Sequence, residues 1–180
     1  MGNDILQIMF GYNLEIEHTP IIREIIKLTG CETYLELGVS DGRNIHEIVP
    51  YCKRCIGVDI ADIRRYKDYE FHLMPTSEYF KKYQVNADII FIDANHDFEY
   101  VKEDFENSLK ILNKHGIILI HDTDPISREY LKPECCSDSY KIVDWIRAFH
   151  PELNILTLPV SVAGLTIINR SKDRRAYDFI

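Results

Sequence analysis

The stretch from Thr33 to Asn44, TYLELGVSDGRN, limits the fold of this chain more than any other part of the sequence. An apolar run ends near Glu36 and passes into a turn that contains Gly38 and Gly42, and helix-like apolar spacing follows. A strand that turns sharply into a helix leaves unpaired backbone N–H groups at the helix start, where a ligand can bind. Glycine permits such a turn because it has no Cβ atom. The spacing GxxxG differs from GxGxxG, which argues against an ordinary dinucleotide site.

A second strand-like pattern with an acidic end follows this turn. Residues Cys55 to Asp59 read CIGVD, and Asp59 comes 17 residues after Gly42. A strand-end Asp or Glu beside a glycine turn is placed to accept hydrogen bonds from ribose hydroxyls. We therefore predict that Asp59 binds the ribose of a nucleotide-like ligand.

The remaining sequence alternates strand-like and helix-like patterns, without repeats, low-complexity tracts or a linker. Residues 87–93 (ADIIFID) are apolar almost throughout, which is typical of a central parallel strand. The last two strand patterns, residues 154–160 and 164–170, are separated by three residues, so they must be antiparallel neighbours. We predict one α/β domain over residues 1–180, with its core at about 18–170. Its doubly wound, mostly parallel sheet should carry helices on both faces and end in an antiparallel hairpin.

Local signals predict where some of these elements begin and end. Thr19 is predicted as the N-cap of a covering helix that Gly30 ends. Asp97 is predicted as the N-cap of a helix whose apolar residues recur at intervals of three and four. Gly116 is predicted to precede a fifth strand at residues 117–120.

Composition and charge indicate the broad class of protein. The 180 residues, of which 46% are hydrophobic, suit one well-covered core. A net charge of −8 argues against a broad nucleic-acid interface. No stretch approaches the length of a membrane span, and the N-terminus lacks the pattern of a signal peptide. We therefore expect a cytoplasmic protein that binds neither membrane nor nucleic acid.

The five cysteines form an odd set, which favours reduced thiols over a disulfide framework. Cys52 and Cys55 could be combined with Cys135 and Cys136 in a zinc site. Because Cys55 is expected in a buried strand and the pair 135–136 in a polar loop, we favour the interpretation without zinc.

Acidic residues and histidines follow two of the predicted central strands. Asp93-Ala94-Asn95-His96-Asp97 follows the fourth strand, and His121-Asp122-Thr123-Asp124 follows the fifth. Neighbouring strands lie about 5 Å apart, so two strand-end aspartates can converge on one cation. Oxygen ligands suit Mg²⁺, Mn²⁺ or Ca²⁺. The same aspartates could instead orient a cofactor or substrate without a metal.

Two sets of motifs resemble one enzyme family. The pair ELGVSDG and GVD resembles motif I and the acidic second motif of class I S-adenosylmethionine (SAM)-dependent methyltransferases. The segment Ile92–Asp122, IDANHDFEYVKEDFENSLKILNKHGIILIHD, is similar to the pattern IDGxHxY…D…LxxGGxxxxHD of the macrolide and rhamnosyl O-methyltransferase branch, to which catechol O-methyltransferase is a more distant relative. The resemblance implies a seven-stranded sheet with the order 3-2-1-4-5-7-6.

The resemblance also implies roles for particular residues. It makes Asp93 and Asp122 the metal ligands, and it makes His96 the base or a substrate contact. His121, at the end of the fifth strand, is the second candidate catalytic residue. This chain has Thr123 where the catechol enzyme has an asparagine ligand, which leaves a third protein ligand in doubt. The cofactor-binding residues would be Glu36 and Gly38 at the methionine part, Asp59 at the ribose, Ser77 near the adenine, and Ser40, Gly42 and Asp93.

The expected function is SAM-dependent O-methylation, assisted by a divalent cation such as Mg²⁺, of a hydroxyl on a small molecule such as a sugar or secondary metabolite. Two alternatives stay open: a metal-independent methyltransferase acting on another nucleophile, and a SAM-fold module that binds without catalysis. The loop from Thr123 to Asp138 should form part of the acceptor pocket and close over it when ligands bind. We also consider a homodimer in which the second subunit supplies a pocket wall.

Overall fold

The structure, a computed structural model, describes residues 17–170. The extent of the domain toward residues 1 and 180 therefore stays a prediction. Strands and helices alternate along most of the chain, and two short 3-10 turns lie at Val49–Tyr51 and Arg128–Tyr130. The elements are α1 (His18–Thr29), β1 (Thr33–Leu37), α2 (Arg43–Ile48), β2 (Arg54–Asp59), β3 (Glu70–Leu73), α3 (Thr76–Lys82), β4 (Ala87–Ile92), α4 (Phe98–Ile111), β5 (Leu112–His121), α5 (Lys141–Phe149), β6 (Leu153–Leu158) and β7 (Leu165–Arg170).

All seven strands belong to one sheet with the order β3-β2-β1-β4-β5-β7-β6. The first five strands are parallel to one another, and β7 runs antiparallel to both β5 and β6. In the centre of the sheet, Glu36 of β1 lies opposite Gly57 of β2 and Phe91 of β4. The carboxyl ends of these three strands therefore meet at one edge. The predicted fold class and strand order are confirmed.

Each face of the sheet is covered by helices and holds its own apolar cluster. In β4, Ile90 and Ile92 belong to the cluster that contains residues of α4 and α5. Ile89 and Phe91 belong to the cluster that contains residues of α1 and α2. Successive side chains of a strand point to opposite faces, and both faces of β4 are buried. This arrangement explains why the sequence of β4 is apolar at nearly every position. Among residues 17–170, no helix combines the length and the apolar character that crossing a membrane would require.

The first helix ends as predicted but begins differently. Gly30 has φ 66°, and its N–H donates to the Ile26 carbonyl oxygen at 2.9 Å, so the predicted C-terminal glycine is confirmed. The helix begins at His18, which makes Thr19 a helical residue, so the N-cap prediction was wrong. The hydroxyl of Thr19 donates to Asn44 Oδ1 at 2.7 Å. The Thr19 hydroxyl thus contacts Asn44 in the first turn of α2 and does not cap its own helix.

The fifth strand is longer than the sequence pattern indicated. It begins at Leu112, and Gly116 lies within it. A Cβ atom at Gly116 would lie 2.7 Å from the Leu112 side chain and 2.9 Å from the Asp88 carbonyl oxygen. The pairing of β4 with β5 also shifts register between Ala87 and Ile89. Gly116 therefore marks a close approach inside an irregular strand pair, and it is not a strand boundary.

Candidate active site

The turn after β1 uses backbone conformations that favour glycine. Gly38, Ser40 and Gly42 have φ values of 85°, 51° and 83°. A Cβ atom at Gly38 would collide with the backbone of Asp93 at the end of β4. Gly38 is therefore required by the close passage of two strand ends, whatever ligand the turn binds. Gly42 occupies the N-cap position of α2.

Asp59, at the end of β2, holds this turn in place. One carboxylate oxygen accepts hydrogen bonds from the N–H groups of Val39 and Ser40, at 2.8 Å and 2.9 Å. The other oxygen accepts from the N–H of Ala61 at 2.9 Å. Asp59 thus fixes the backbone of the glycine turn, and its carboxylate also lines the neighbouring cleft.

A cleft of about 270 Å³ opens at the carboxyl ends of the central strands. Its volume lies near the lower end of the range usual for small-molecule sites. Of the predicted cofactor-binding residues, Gly38, Asp59 and Ser77 line the cleft, whereas Glu36, Ser40, Gly42 and Asp93 are not among its lining residues. The other lining residues are Val58, Ile60, Met74, Pro75, Thr76, Ala94, Asn95, Tyr100 and Glu103.

Two of these lining residues, Tyr100 and Glu103, belong to α4 and were not identified from the sequence. They carry no motif, and the apolar spacing of this helix indicates only which residues face the core. Their position beside the cleft follows from the way α4 packs.

Glu36 is held below the cleft by neutral hydrogen-bond donors. Its side chain is buried, with 1% of the residue exposed. The Tyr34 hydroxyl donates to Glu36 Oε2 at 2.7 Å, and the Asn44 amide donates to the same oxygen. Burial raises the pKa of Glu36 to about 8, although the hydrogen bonds from Tyr34 and Asn44 act in the opposite direction. A role for Glu36 at the cofactor stays a prediction.

A group that we call the acid–histidine cluster lies beside the cleft. His96 Nε2 is 3.0 Å from Asp122 Oδ2 and 3.6 Å from Asp93 Oδ1. His121 Nδ1 is 3.2 Å from Asp93 Oδ1 and 3.3 Å from Asp122 Oδ1. Asp122 is buried and has φ 59°, a backbone conformation that is uncommon outside glycine. The members of the cluster are His18, Asp93, His96, His121 and Asp122.

The two aspartates of the cluster are neutralised by two histidines. Burial opposes the charge of Asp93, but the charge of His121 and hydrogen bonds from His121 and His96 hold the pKa of Asp93 well below its usual range. Hydrogen bonding to Asp93 and the charge of Asp122 raise the pKa of His96 to about 9. Burial lowers the pKa of His121, yet the charge of Asp93 and contacts with Asp122 raise it to about 10. Two converging carboxylates repel one another unless positive charge or a proton lies between them, and here the two imidazolium groups supply the positive charge.

His18 is a member of the cluster that was not identified from the sequence. Its ring centroid lies 4.5 Å from that of His121 and 5.1 Å from that of Phe91. Burial and the charge of His121 lower the pKa of His18 to about 4. His18 is therefore neutral where His96 and His121 are charged. No sequence signal marks it, because it reaches the site only through the packing of α1.

The orientation of His96 suits a metal ligand. Its Nδ1–H donates to the carbonyl oxygen of Cys135, and its Nε2 faces the two carboxylates. Ligating histidines usually donate their second ring N–H to a carbonyl or carboxylate. One donor atom from each of Asp93, His96 and Asp122 lies within 4.8 Å of the others. These three residues could hold one divalent cation.

The loop from Thr123 to Asp138 is tied to the cluster. The Cys136 thiol donates to Asp122 Oδ1 at 3.3 Å, and the Ser139 hydroxyl donates to the Asp122 carbonyl oxygen. The Thr123 hydroxyl accepts from Thr166 at 2.7 Å. Thr123 therefore engages the C-terminal hairpin, and His96 takes the position of a third donor. Closure of the loop over bound ligands stays a prediction.

The predicted N-cap position of α4 is confirmed, but the same loop takes over the capping contact. Asp97 occupies the N-cap position but makes no side-chain cap. Its Oδ1 accepts from the Ser137 hydroxyl at 2.7 Å, while the N–H of Phe98 donates to Asp138 Oδ1 at 2.7 Å. A carboxylate distant in sequence thus replaces the local one.

The sequence of the chain matches that of a known protein family. A family described as a methyltransferase domain matches residues 27–123, which is just over half of the chain. The match includes the glycine turn and every member of the acid–histidine cluster except His18. No curated protein sequence matches the chain.

Solved structures share the fold at low sequence identity. A candidate O-methyltransferase from Klebsiella pneumoniae has a TM-score of 0.71 at 13% identity, over 92% of this chain and 86% of that one. The O-methyltransferase TomG from Streptomyces achromogenes, in complex with SAM, has a TM-score of 0.67 at 12% identity, over 92% of this chain and 86% of that one. An rRNA methylase from Streptococcus thermophilus has a TM-score of 0.67 at 8% identity, over 88% and 99%. Since all three identities are low, these similarities establish the fold alone.

Proposed function

The chain belongs to the methyltransferase domain family, and we propose that it is a SAM-dependent O-methyltransferase whose acceptor is a small hydroxylated molecule and whose reaction is assisted by a divalent cation. The main support for this proposal is that the cleft and the acid–histidine cluster lie next to each other. The cleft reaches Ala94 and Asn95, and the acid–histidine cluster begins at Asp93 and includes His96. A cofactor in the cleft would therefore lie beside groups that can hold a hydroxyl.

The cleft is the site that we assign to SAM. Asp59 offers carboxylate oxygens, Gly38 allows close approach to the backbone, and Ser77 lies in the first turn of α3. TomG, which shares the fold, binds SAM. Glu36 lies behind the glycine turn, so we assign it the support of that turn through Asn44. Ser40 and Gly42 would act through the backbone of the turn, and Asp93 would border the methyl donor.

The acceptor site is assigned to the acid–histidine cluster. Asp93, His96 and Asp122 would hold the divalent cation, because they provide two carboxylate oxygens and one imidazole nitrogen that converge. When bound, the cation would coordinate the acceptor hydroxyl and lower its pKa. A mixed oxygen and nitrogen donor set suits Mn²⁺, Fe²⁺ or Zn²⁺ as well as Mg²⁺.

The reaction needs alignment and the removal of one proton. The acceptor oxygen attacks the methyl carbon of SAM, the bond from that carbon to sulfur breaks, and the positive charge of the sulfonium disappears. Holding the two reactants in line supplies a large share of the rate. His96 Nε2 cannot bind a cation and accept a proton at once, so we assign proton acceptance to His121. Its contacts with Asp93 and Asp122 would no longer hold a proton on its ring once a bound cation neutralised both carboxylates. Asp93 and Asp122 orient its ring.

A metal-independent methyltransferase is the second candidate, and one observation favours it. His96 and His121 already balance the charges of Asp93 and Asp122. In that case neither imidazolium can take a proton at neutral pH, so turnover should rise with pH toward about 9, the pKa of His96. The SAM-fold module without catalysis is the third candidate, and it would bind SAM without turnover.

We propose the acceptor class from the net charge of the protein. The rRNA methylase shows that this fold also occurs in an enzyme named for a nucleic-acid substrate, so the fold does not select the acceptor. The net charge of −8 disfavours a polyanionic partner. We keep a sugar or a secondary metabolite as the expected acceptor. A homodimer and a cytoplasmic location stay proposals.

Methyl transfer from labelled SAM to a panel of sugars and phenols tests the proposal. The full chain should be assayed as purified, after treatment with EDTA, and after Mg²⁺, Mn²⁺ or Zn²⁺ has been restored. We expect EDTA to remove most of the turnover and one cation to restore it, with SAM affinity changed only a few-fold.

The outcomes separate the three candidates. Full turnover in EDTA would overturn the metal assignment and favour the metal-independent reaction. SAM binding without transfer to any acceptor class would favour the binding module. Asp122→Asn should remove the cation response, and the matched control Asp144→Asn should keep it, because Asp144 is an exposed residue of α5 that pairs with Arg147.

A further inference from the structure

Three cysteines meet at the end of the sheet opposite the cleft. Cys31 precedes β1, Cys52 precedes β2, and Cys55 lies near the start of β2. All three thiols are free and pack with the apolar cluster of α1 and α2. The sequence pattern combined Cys52 and Cys55 with Cys135 and Cys136, but Cys136 contacts Asp122 at the other end of the sheet. We call Cys31, Cys52 and Cys55 the three-cysteine cluster.

The pairing of β1 with β2 brings Cys31 and Cys52 next to each other. Strands β1 and β2 pair in parallel with Thr33 opposite Arg54, and each cysteine lies two residues before one of these residues. The N–H of Arg54 donates to the Glu32 carbonyl oxygen at 3.0 Å, so the strands stay adjacent at this end. Paired strands lie about 4.8 Å apart, which falls within the Cα separations of disulfides. The two sulfur atoms are 3.8 Å apart, so a small side-chain rotation could join them.

Cys52 is the central and most accessible thiol of the three. It contacts Cys31, and it also lies within hydrogen-bonding reach of Cys55. Hydrogen bonds from Cys31 and then Cys55 hold the pKa of Cys52 well below its usual range, because donors stabilise a thiolate. Burial and contact with Cys52 raise the pKa values of Cys31 and Cys55. Because Cys52 is partly exposed, whereas Cys31 and Cys55 are buried, and a second sulfur lies 3.8 Å from it, we take Cys52 as the nucleophile of the cluster.

An open groove gives solvent access to Cys52. The groove has a volume of about 360 Å³, and Cys52, Cys55 and three basic residues, Lys53, Arg54 and Lys67, line it. All three basic residues are paired, Lys53 with Glu32, Arg54 with Glu70 and Lys67 with Asp62. The features that distinguish Cys52 are therefore its access to solvent and its neighbouring thiols.

The arrangement fits a disulfide better than a chelated metal. In the part of the chain that the structure describes, the group whose three donor atoms lie mutually within 4.8 Å is Asp93, His96 and Asp122. The three thiols do not form such a group, because Cys52 stands between the other two. A structural zinc site needs four ligands around one centre, whereas a disulfide needs only one adjacent pair.

We propose that Cys52 is a site of reversible oxidation and that it closes a disulfide with Cys31. The oxidant class is a hydroperoxide, such as hydrogen peroxide. The Cys52 thiolate attacks one peroxide oxygen, the O–O bond breaks, and the departing hydroxide takes up a proton to form water. The resulting sulfenic acid is attacked by the Cys31 sulfur, which releases a second water. Two thiols and one peroxide thus give one disulfide and two waters.

The disulfide would enclose the region that shapes the cofactor turn. The 22 residues from Cys31 to Cys52 include all of β1, the turn at Gly38 and Gly42, and α2. Closing a loop of this length restrains the unfolded chain, so the oxidised protein should have a higher Tm. A thiol reductant should reverse the shift.

Differential alkylation with peptide mapping tests this proposal on the full chain. Trypsin cleavage after Lys27, Arg43, Lys53 and Arg54 places each of the three cysteines in a separate peptide. After brief treatment with hydrogen peroxide, we expect a disulfide-linked pair of peptides that contain Cys31 and Cys52. We also expect a rise in Tm that dithiothreitol abolishes.

Three variants make the outcome decisive. Cys52→Ser should protect Cys31 from oxidation, Cys31→Ser should leave a sulfenic acid at Cys52 that dimedone traps, and Cys55→Ser should still form the disulfide. The Tm of each reduced variant shows that it folds. The proposal is wrong if Cys31 and Cys52 stay separately alkylated in the wild type, if Cys52 pairs with Cys55 instead, or if Cys31 oxidises equally in Cys52→Ser.

Discussion

Glu36 and Asp93 are carboxylates at the ends of neighbouring strands, yet the protein holds them in opposite states. Glu36 is surrounded by neutral donors, and burial raises its pKa to about 8. Asp93 contacts His96 and His121, and their charges hold its pKa well below the usual range. Both residues lie at the same edge of the sheet. The partners of each carboxylate, and not its place on a strand, decide whether it carries charge.

The contrast follows from what each set of partners can supply. A hydroxyl and an amide, those of Tyr34 and Asn44, provide hydrogen bonds but no compensating charge, so desolvation dominates at Glu36. An imidazolium provides both a hydrogen bond and a charge, so the ionised form is favoured at Asp93. The first environment suits a rigid support for the glycine turn. The second suits a site that can exchange a proton for a cation.

The largest expected effect is on the pH dependence of stability at Glu36. Because the pKa is raised from 4.5 in the unfolded chain to about 8, the folded state binds more protons between these values. This contribution to stability is complete below pH 4.5 and is lost as the pH rises toward 8. The full difference amounts to at most about 5 kcal/mol. Urea unfolding of the wild type and Glu36→Gln across this range should show a steeper loss of stability with pH in the wild type than in the variant.

Comparison with the variant is needed because other groups titrate in the same direction. Burial raises the pKa of Asp104 to about 7, and His96 and His121 have raised pKa values as well. Their contributions remain in Glu36→Gln and cancel in the difference. Equal slopes for the two proteins would show that Glu36 is ionised in the folded state and would remove the contrast with Asp93.

The next largest effect is on turnover, when the carboxylate of Asp93 or of Glu36 is replaced by the corresponding amide. Asp93→Asn removes a charge from the acid–histidine cluster, and we expect turnover to fall by roughly 100-fold or more. Glu36→Gln replaces a neutral acid with a neutral amide, so turnover below pH 8 should change only a few-fold. Steady-state rates with saturating SAM measure both. Similar losses for the two variants would mean that the two carboxylates share one role.

A smaller effect is expected on SAM affinity at Asp59. Asp59→Ala should weaken SAM binding by roughly 1–3 kcal/mol. The substitution would leave the ribose hydroxyls and the N–H groups of Val39 and Ser40 without their hydrogen-bond acceptor. Asp93→Asn is the comparison variant, with affinity expected to change only a few-fold. Calorimetric titration distinguishes them. Unchanged affinity in Asp59→Ala would remove the ribose assignment.

The smallest effect concerns the neutral network around Glu36. Thr19 donates to Asn44, which in turn donates to Glu36. Thr19→Val keeps the shape but removes this hydroxyl, so stability should fall by about 1 kcal/mol. The matched control Thr29→Val alters an exposed hydroxyl that contacts the backbone of its own helix. Thermal unfolding that ranks the two variants in the opposite order would show that Thr19 does not support the network.

Much of the fold could be predicted from the sequence because the spacing of apolar residues along the chain indicates which side chains are buried. The continuous apolar run of β4 indicated a strand covered on both faces, and the short connection before β7 required antiparallel neighbours. The strand order came from a family resemblance. The N-cap position was wrong at Thr19 and correct at Asp97, but neither side chain makes the local capping contact. In both places a residue distant in sequence, Asn44 or Asp138, accepts a hydrogen bond there instead.

The candidate site could be predicted only where its residues end strands. Asp93 and Asp122 were identifiable because both follow buried runs that belong to adjacent strands. His18 was not identifiable, because its position depends on how α1 crosses the sheet. Cys31 was overlooked as a neighbour of Cys52 for a similar reason, since their contact depends on the pairing of β1 with β2.

The sequence by itself determined the strand and helix types, the glycine turn and the candidate residues at the ends of β4 and β5. These features depend on periodicity and on backbone conformation, both of which are local. Tertiary structure alone decided the charges of Glu36 and Asp93, the orientation of the His96 ring and the meeting of three thiols. Each of these depends on desolvation and on partners brought together from distant parts of the chain, and a pKa records the sum of those contacts.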